Sequence, residues 1–486
     1  MGIVINQSIK NVVITYIGFG IGAINSLFMY PHFLGEEFYG LTGYILSSAN
    51  VIFPLMAFGV HNTIIKFFSQ YKSEQEKSQF LSFVLALPFL VIIPILIIGF
   101  IGYDFIAAFL ARKNNIVYNY VWQIPVIAIC MGYFEIFYAW VKVHLQSVFG
   151  NFIKEIGLRI LISIFLFAVY FQFITVDQFI TATMYVYLAS TLIMLFYANK
   201  VKKIVFDFKL PENYKAILVY SSFIILSGSV ANMLLDLDKT MLNQYVKIEN
   251  IAYYSVAIFI ATVIAVPSRA MHQITYPITA KLMTEGKQDE LNDLYKKTSI
   301  TLQIVGGLVL LGILVNINQM YLLLQENYRG GVFVVFIIGL SKYFDLILGN
   351  NNAIIFNSKY YRAVLFLGLF LAFFAVTLNM IFIPKYGING AAIATLISIT
   401  LYSIAKLLFV VLRMKLFPFT YKTLISFVVL IVLFFMFYFW EFSFHPIINI
   451  ILKSTLVTII YVILNYKLKL SLDFNNVVNS ILKRVL

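Results

Sequence analysis

The sequence predicts an all-α polytopic membrane protein with about 14 transmembrane helices. Hydrophobic residues make up 61% of the 486 positions and charged residues only 12%, whereas a soluble domain is about 45–50% apolar and about 25% charged. Apolar runs long enough to cross a bilayer, about 20 residues each, alternate with short polar turns. The net charge of +14 comes from lysines and arginines that fall between these runs, which is typical of juxtamembrane residues and not of nucleic-acid binding.

The apolar runs define the helices in chain order. The first run is long enough to span and has no small-residue cleavage site after it, so we expect no signal peptide. The third run could continue as far as residue 110. The eighth run is interrupted by Pro267 and Pro277. The predicted spans are 11–31, 41–65, 80–101, 116–140, 152–171, 178–199, 216–235, 251–271, 299–324, 332–356, 362–383, 388–412, 421–440 and 446–466.

The connecting segments predict the orientation of the chain. Most of the 35 lysines and arginines fall in alternate connections, and since basic residues concentrate on the cytoplasmic side, both termini are predicted to be cytoplasmic. In the connection 281–297, Leu291 and Tyr295 share a helical face, and Asp293 and Lys297 are spaced as an i, i+4 ion pair. This pattern predicts an amphipathic helix at the membrane interface.

A weak internal repeat predicts the domain organisation. The turn LGEEFYGLTGYI at 34–45 is similar to KIENIAYYSVAIF at 247–259. Two six-span lobes, 1–199 and 216–412, would then be joined by a cytoplasmic loop at 200–215. Residues 413–486 would add two spans and a cytoplasmic tail. Repeats of this kind often place a transport site near the membrane midplane.

Five motifs carry a family resemblance. They are LGEEFYG at 34–40, FGVHNTIIKFFS at 58–69, LLDLDKTMLNQYV followed by IENIAYYSVA at 234–257, EGKQDELNDLYKK at 285–297 and IPKYGINGAAIATLIS at 383–398. Their order and spacing over most of the chain resemble the polysaccharide flippases of the multidrug/oligosaccharidyl-lipid/polysaccharide (MOP) superfamily. These include flippases for O-antigen and capsule oligosaccharides.

The resemblance implies a fold and a function. The fold is two pseudo-symmetric six-helix lobes in a V around a central cavity, with two extra C-terminal helices. The function is alternating-access transport of an undecaprenyl-diphosphate-linked oligosaccharide from the cytoplasmic to the periplasmic leaflet of a bacterial inner membrane, for O-antigen, capsule or exopolysaccharide synthesis. The implied partners are this substrate, membrane lipid and other polysaccharide-assembly proteins.

A cavity for such a substrate needs a cation for the diphosphate and polar or aromatic groups for the sugars. Charged residues inside a span persist where they face protein or water. Arg269 and His272, after Pro267, are the first choice for the diphosphate, because a guanidinium offers bidentate contacts to phosphate. The substrate-binding candidates are Arg269, Lys66, His61, Glu135, His272, Asp238, Lys239, Lys342 and Asp345.

Several candidates have a structural alternative. Lys66 and Arg269 could instead end their helices at the cytoplasmic face, and His61 could be a packed core histidine. Glu135, with Lys142 and His144 about two turns further on, could face a buried partner.

Other intramembrane polar residues favour pairing. Asp236, Asp238 and Lys239 end the seventh span and could compensate one another's charge locally. Lys342 and Asp345 are three residues apart on one helical face and could neutralise each other. The amides of residues 350–352 suit sugars or helix–helix hydrogen bonds. Lys453 in the last span is expected to reach the membrane interface with its ammonium group.

The motifs of enzymes and metal sites are missing from the sequence. It contains no HExxH, CxxC, GxSxG or Walker sequence, and its five histidines have no metal-ligand spacing. We therefore expect no enzyme, no metal and no cofactor. Coupling to H+ or Na+ is left open as the energy source, beside the membrane potential.

Two other function classes are weighed against the flippase. An ion-coupled multidrug or cation antiporter of the same superfamily is the first alternative, but the first span has no acidic residue for a cation switch. A membrane polysaccharide polymerase or glycosyltransferase is the second. Such enzymes generally need a sizeable soluble loop, and the sequence between the spans is short.

Overall fold

The computed structural model describes residues 2–207, 209–227, 230–360 and 362–485, without the side chains at 2–6, 8, 9, 226, 227, 230–232, 270, 273, 481, 484 and 485. These residues are mostly helical and include no strand, so the predicted all-α membrane fold is confirmed. The chain divides into two compact units, Met1–Ser255 and Val256–Leu486. The predicted lobe boundaries at 199 and 216 stay predictions.

The first unit contains fourteen helices in its described residues, and the last of them runs across the boundary between the units. They are α1 (Gly2–Ile24), α2 (Tyr30–Phe33), α3 (Gly35–Met56), α4 (Val60–Phe67), α5 (Glu74–Ala86), α6 (Phe89–Ile101), α7 (Tyr103–Leu110), α8 (Gln123–Val143), α9 (Ser147–Phe152), α10 (Leu158–Tyr170), α11 (Val176–Val201), α12 (Tyr214–Ser227), α13 (Val230–Tyr245) and α14 (Glu249–Thr262). Two π-helical turns, Asn25–Met29 and Ile153–Gly157, join α1 to α2 and α9 to α10.

The second unit contains the remaining eight helices of the described chain. They are α15 (Val266–Thr284), α16 (Gln288–Leu322), α17 (Val332–Leu346), α18 (Asn351–Asn357), α19 (Ala363–Met414), α20 (Tyr421–Tyr438), α21 (Pro446–Lys467) and α22 (Leu472–Val485). Within the eighth predicted span, a 3₁₀ turn at Val263–Ala265 separates α14 from α15, and Pro267 lies in the first turn of α15. The third predicted span ends at Ile101, and α7 begins separately after Gly102.

Nine described helices are long and apolar enough to cross a membrane, or eleven if each of two bent helix pairs is one span. The predicted number is higher for three reasons. Spans 362–383 and 388–412 both lie in α19, which is kinked at Gly387. Span 152–171 is divided between α9 and α10 by a π-helical turn. Span 216–235 contains Gly228 and Ser229, which lie outside the described residues.

The core of the first unit forms around α8, which packs against α3, α4 and α11. Buried side chains from α4, α5 and α8, including Ile64, Phe80 and Ile136, form its main hydrophobic cluster. Between α3 and α4 the chain bends by 43° at Gly59, whose φ is +64°. A Cβ at Gly59 would lie 2.7 Å from the carbonyl oxygen of Ser221 on α12, so only glycine permits this close approach.

The segment 200–215, predicted to join two lobes, packs on the first unit. The Asp207 carboxylate accepts a hydrogen bond of 3.0 Å from the Gln79 side-chain amide, and the Asp207 N–H donates to Ser82 Oγ at 2.8 Å. The backbone N–H of Lys209 and then the Gln79 amide lower the pKa of Asp207 below its ordinary value. These contacts fix the segment against α5.

The start of α16 corrects the prediction of an interfacial helix at 281–297. Leu291 and Tyr295 are buried and pack in a cluster with Ile354 and Val410 of the same unit. The apolar face therefore contacts protein, and the helix continues directly into the predicted ninth span. The predicted ion pair is confirmed, since Lys297 Nζ lies 2.6 Å from Asp293 Oδ2.

Lys453 does not reach the membrane interface, so that prediction is wrong. Its side chain is only 1% exposed, and its ammonium group has no hydrogen-bond partner among the described residues. Asn449 and Val457, one turn away on either side, are also buried. This face of α21 packs against α16, which holds the lysine inside the unit.

Candidate functional site

A cavity of about 320 Å³ lies within the first unit, between α3, α8, α10 and α11. Aromatic side chains such as Phe53 and Phe134 form part of its wall. The remaining wall is polar to a degree that is unusual inside membrane helices. Its polar lining includes Asn50, Glu135, Lys154, Glu155, Arg159 and Tyr187.

A π-helical turn positions the charged groups of this cavity. Lys154 and Glu155 are adjacent within the turn Ile153–Gly157, and both line the cavity. Arg159 follows on α10, four residues after Glu155, and so lies on the same helical face. Single π-helical turns inside α-helices frequently occur at functional sites, and this one gathers three charged residues on one wall.

Each cation of the wall is paired with a carboxylate that is less exposed. Lys154 Nζ donates to Glu135 Oε1 at 2.5 Å, and the two side chains are 46% and 15% exposed. Arg159 Nη1 donates to Glu155 Oε2 at 2.9 Å, with exposed fractions of 30% and 18%. All four side chains line the cavity, and in each pair the basic side chain is the more exposed one.

Two further basic groups surround Glu135 without lining the cavity. Lys142 and the predicted candidate His61 both lie within electrostatic range of its carboxylate. The Lys142 ammonium lies 3.8 Å from the centroid of the Tyr138 ring. His61 Nε2 lies 3.0 Å from the Asn62 amide nitrogen, and its buried Nδ1 has no partner in the described chain. The predicted site residue Glu135 thus lies in a strongly basic environment.

The structure places three other candidates of the first unit away from this cavity. Lys66 is exposed, and its ammonium lies 3.8 Å from the centroid of the Tyr220 ring. Asp238 is fully buried and accepts a hydrogen bond of 2.6 Å from Tyr254.

Lys239 forms its ion pair with Asp236, at 3.6 Å, one helical turn earlier. The local charge compensation that the sequence left open is therefore present, through Asp236 and not through Asp238, because residues three apart share a helical face whereas consecutive residues do not.

A second polar cluster lies in the second unit, where α17 packs against α19. Lys406 Nζ donates to Asp345 Oδ1 at 2.7 Å and to Asn352 Oδ1 at 3.3 Å. Here the exposure is reversed, since the lysine is 3% exposed and the carboxylate 44%. Asp345 thus pairs with Lys406 on another helix. The prediction that Lys342 and Asp345 neutralise each other is corrected, although Lys342 remains within electrostatic range.

The remaining candidates, Arg269 and His272, lie on α15. Arg269 is exposed. His272 is half-buried, lies within electrostatic range of Asp345 and meets the Tyr276 ring edge-on at 5.5 Å between centroids. Positions 269, 272 and 276 share one helical face, but of these three residues only His272 and Tyr276 lie within electrostatic range of Asp345.

The sequence left two roles open for the amides of residues 350–352, namely sugar binding and hydrogen bonds between helices. Asn350 donates to Thr279 Oγ1 at 2.8 Å, and Asn351 donates to Tyr295 Oη at 2.6 Å. Both are fully buried, so they join helices. Asn352 instead belongs to the Lys406 cluster. In the described part of the chain, no three His, Cys, Asp or Glu side chains are grouped as metal ligands.

Sequence reasoning missed Lys154, Glu155, Arg159 and Lys406 as site residues. The basic ones served only to orient the spans, because they lie near predicted cytoplasmic ends. A signal was present for Lys406, since it lies inside the predicted span 388–412, where a charge is costly. The sequence also placed two opposite charges, Lys154 and Glu155, side by side at the start of a span.

Comparison with known proteins gives structural neighbours. No protein-family model matches the sequence, and no curated protein sequence matches it. The structure is similar to the lipid II flippase MurJ in an inward closed conformation, with a TM-score of 0.74, 18% identity, and coverage of 94% of this chain and 99% of that chain.

Two transporters are also similar. An inward-facing multidrug resistance MATE family transporter of the MOP superfamily matches with a TM-score of 0.60 and 13% identity, over 84% of this chain and 98% of that chain. A MOP superfamily transporter from Pyrococcus furiosus, described as having a binding pocket of reverse polarity, matches with a TM-score of 0.53 and 15% identity, over 85% and 95%. The chain is thus a multi-pass membrane protein with the fold of the MurJ flippase and the MATE transporters.

Proposed function

We propose that the protein is a MOP-type flippase that moves an undecaprenyl-diphosphate-linked oligosaccharide from the cytoplasmic to the periplasmic leaflet of a bacterial inner membrane. Transport occurs by alternating access and serves O-antigen, capsule or exopolysaccharide synthesis. The termini are cytoplasmic. The fold, shared with a lipid II flippase over nearly the whole chain, supports a transporter and not an enzyme.

The observation that carries the proposal is the arrangement of charges in the first-unit cavity. Lys154 and Arg159 are each more exposed than the carboxylate that pairs with them. A ligand that enters this cavity therefore meets cations first. A diphosphate matches such a surface, because Arg and Lys form short charge-assisted hydrogen bonds to phosphate oxygens.

The same arrangement disfavours the alternative of a cation or multidrug antiporter. A cationic drug would need an uncompensated carboxylate on the cavity wall, but Glu135 and Glu155, which both line the cavity, are each ion-paired with a more exposed basic side chain. The alternative of a polymerase or glycosyltransferase has no support from the sequence, which contains none of the catalytic motifs named above.

We propose that transport needs no cofactor and is driven by the membrane potential or by an H+ or Na+ gradient. One charge that moves through 100 mV supplies about 2.3 kcal/mol. Lipid-linked substrate, membrane lipid and other polysaccharide-assembly proteins are the proposed partners.

The test is the location of lipid-linked saccharide in cells that lack the protein. We expect this material to accumulate on the cytoplasmic leaflet, and wild-type protein to relieve the accumulation. Spheroplasts treated with a membrane-impermeant sugar-oxidising reagent distinguish the two leaflets. Normal export of the saccharide in the null cells would contradict the proposal, and drug sensitivity without accumulation would favour the antiporter.

A further inference from the structure

The second unit contains a partly exposed polar cluster, here termed the recess, that the proposed diphosphate site does not use. It is formed by side chains of α15, α17, α18 and α19, namely His272, Tyr276, Asp345, Asn352, Tyr402 and Lys406. We propose that this recess is a saccharide subsite, which binds hydroxyl groups in the glycan of the same lipid-linked substrate. The inference rests on the flippase function proposed above.

The carboxylate of Asp345 is the polar group of the recess that a ligand can reach. Its carboxylate is 44% exposed, although α17 belongs to a helix pair that is apolar enough to cross the membrane. A carboxylate cannot face lipid at low cost, so this exposure indicates a space that water or a polar ligand enters. One oxygen, Oδ1, is held by Lys406. An ionised carboxylate has about four acceptor positions, so others remain for hydroxyl donors.

The charge balance of the recess selects among possible ligands. Lys406 is almost fully buried and neutralises Asp345. A metal cation or cationic drug would share one carboxylate with Lys406 and with the nearby Lys342, which repel it. A proton on Asp345 would leave Lys406 buried without a counter-ion, which is strongly unfavourable. A second phosphate group would be repelled by the exposed carboxylate of Asp345. Uncharged hydroxyl groups meet none of these penalties.

Aromatic and imidazole groups complete the recess. The Lys406 ammonium lies 4.4 Å from the centroid of the Tyr402 ring, and the Tyr276 ring supports His272 edge-on. The buried Nδ1 of His272 has no hydrogen-bond partner among the described residues, so its hydrogen-bonding capacity is unmet and is available to a ligand hydroxyl that enters the recess. Carboxylate, amide, imidazole and flat aromatic faces together suit a polyhydroxylated ring with apolar C–H faces.

The experiment compares two probes on full-length protein in nanodiscs. One is undecaprenyl diphosphate, and the other is the lipid-linked saccharide isolated from cells that lack the protein. The test variant exchanges the pair, Asp345→Lys with Lys406→Asp, which keeps a neutral ion pair but replaces the exposed acceptor with a donor. The matched control exchanges an exposed pair of the same unit, Asp293→Lys with Lys297→Asp.

We expect wild type and control to bind the saccharide-bearing lipid at least about tenfold more tightly than undecaprenyl diphosphate, because hydrogen bonds to a charged acceptor supply that much. The Asp345/Lys406 exchange should abolish this preference and leave the affinity for undecaprenyl diphosphate unchanged. If the exchanged variant kept the preference, or if wild type had none, the subsite would be refuted while the proposed function stood. Wild type that bound neither lipid would refute the proposed function itself, and the subsite with it.

A second variant covers the case in which the exchanged pair does not fold. His272→Phe keeps the ring contact with Tyr276 and removes both ring nitrogens. We expect it to lower the preference for the saccharide-bearing lipid about fivefold, the value of one ordinary hydrogen bond. The affinity for undecaprenyl diphosphate should not change. An unaltered preference in this variant would count against the subsite.

Discussion

Lys154, in the π-helical turn before α10, forms an ion pair with Glu135 of α8; both line the cavity, and the lysine is the more exposed of the two. An incoming phosphate and Glu135 therefore compete for the same ammonium group. The free energy of replacing Glu135 by phosphate at the Lys154 ammonium depends on how well each anion is hydrated and hydrogen-bonded before and after the exchange. Lys142 and His61, both within electrostatic range of Glu135, are placed to stabilise the carboxylate once it is displaced.

The two cations of the cavity wall should each contribute to diphosphate binding. We expect Lys154→Ala and Arg159→Ala to weaken binding of undecaprenyl diphosphate by about tenfold or more, because each removes a charge-assisted hydrogen bond. Binding to protein in nanodiscs measures the effect. Lys77→Ala removes an ion pair with Glu74 at 3.1 Å outside the cavity and should change nothing. Wild-type affinity in both cavity variants would contradict the assignment.

Removal of the competing carboxylate should have the opposite effect. Glu135→Gln leaves Lys154 without its counter-ion, so we expect undecaprenyl diphosphate to bind several-fold more tightly, in the range of about 1 kcal/mol. The same titration in nanodiscs measures this change. Weaker binding would instead show that Glu135 organises the cavity and does not compete with the ligand.

The bend at Gly59 should depend on the absence of a Cβ. Gly59→Ala combines a left-handed φ with contact to the Ser221 carbonyl oxygen, and we expect a loss of about 1–3 kcal/mol of stability. A thermal unfolding midpoint of the purified protein measures it. Gly99→Ala, where an added Cβ meets no atom within 4 Å, should be neutral or stabilising. Equal midpoints in the two variants would refute this explanation of the bend.

The buried Lys453 should lower the stability of the second unit. Lys453→Met keeps the length of the side chain and removes an ammonium group that has no hydrogen-bond partner in the described structure. We expect stability to rise by about 1–3 kcal/mol, seen as a higher unfolding midpoint. Leu452→Met at the more exposed neighbouring position serves as the control. A lower midpoint for Lys453→Met would indicate that Lys453 stabilises the packing of α21 against α16.

The sequence predicted the membrane architecture well because its evidence is local. A span requires a run of apolar residues about as long as the bilayer is thick, so composition and run length suffice. The bend at Gly59 lies at a glycine inside an apolar run, and the kink at Gly387 lies in the short connection between two predicted spans. The predicted span 152–171 differs from the structure, where a π-helical turn separates α9 from α10. The charged residues Lys154, Glu155 and Arg159 interrupt the apolar run there, but they do not reveal that turn.

The candidate site followed from the sequence only in part. Glu135, Asp345 and His272 were singled out because a polar group inside a span needs a partner or water. Their partners were assigned incorrectly when neighbours in sequence were chosen, as for Lys342 beside Asp345. The actual partner, Lys406, lies 61 residues away.

By itself the sequence determined that this protein is a helical membrane protein, roughly where its apolar segments lie, and which polar residues they carry. Only the tertiary structure decided which charges meet, and which member of each pair is the more exposed. The physical reason is that hydrophobic burial acts on each segment separately, whereas an ion pair depends on the rotation and contact of two helices. The opposite exposure of Lys154 and Lys406 is a property of that packing.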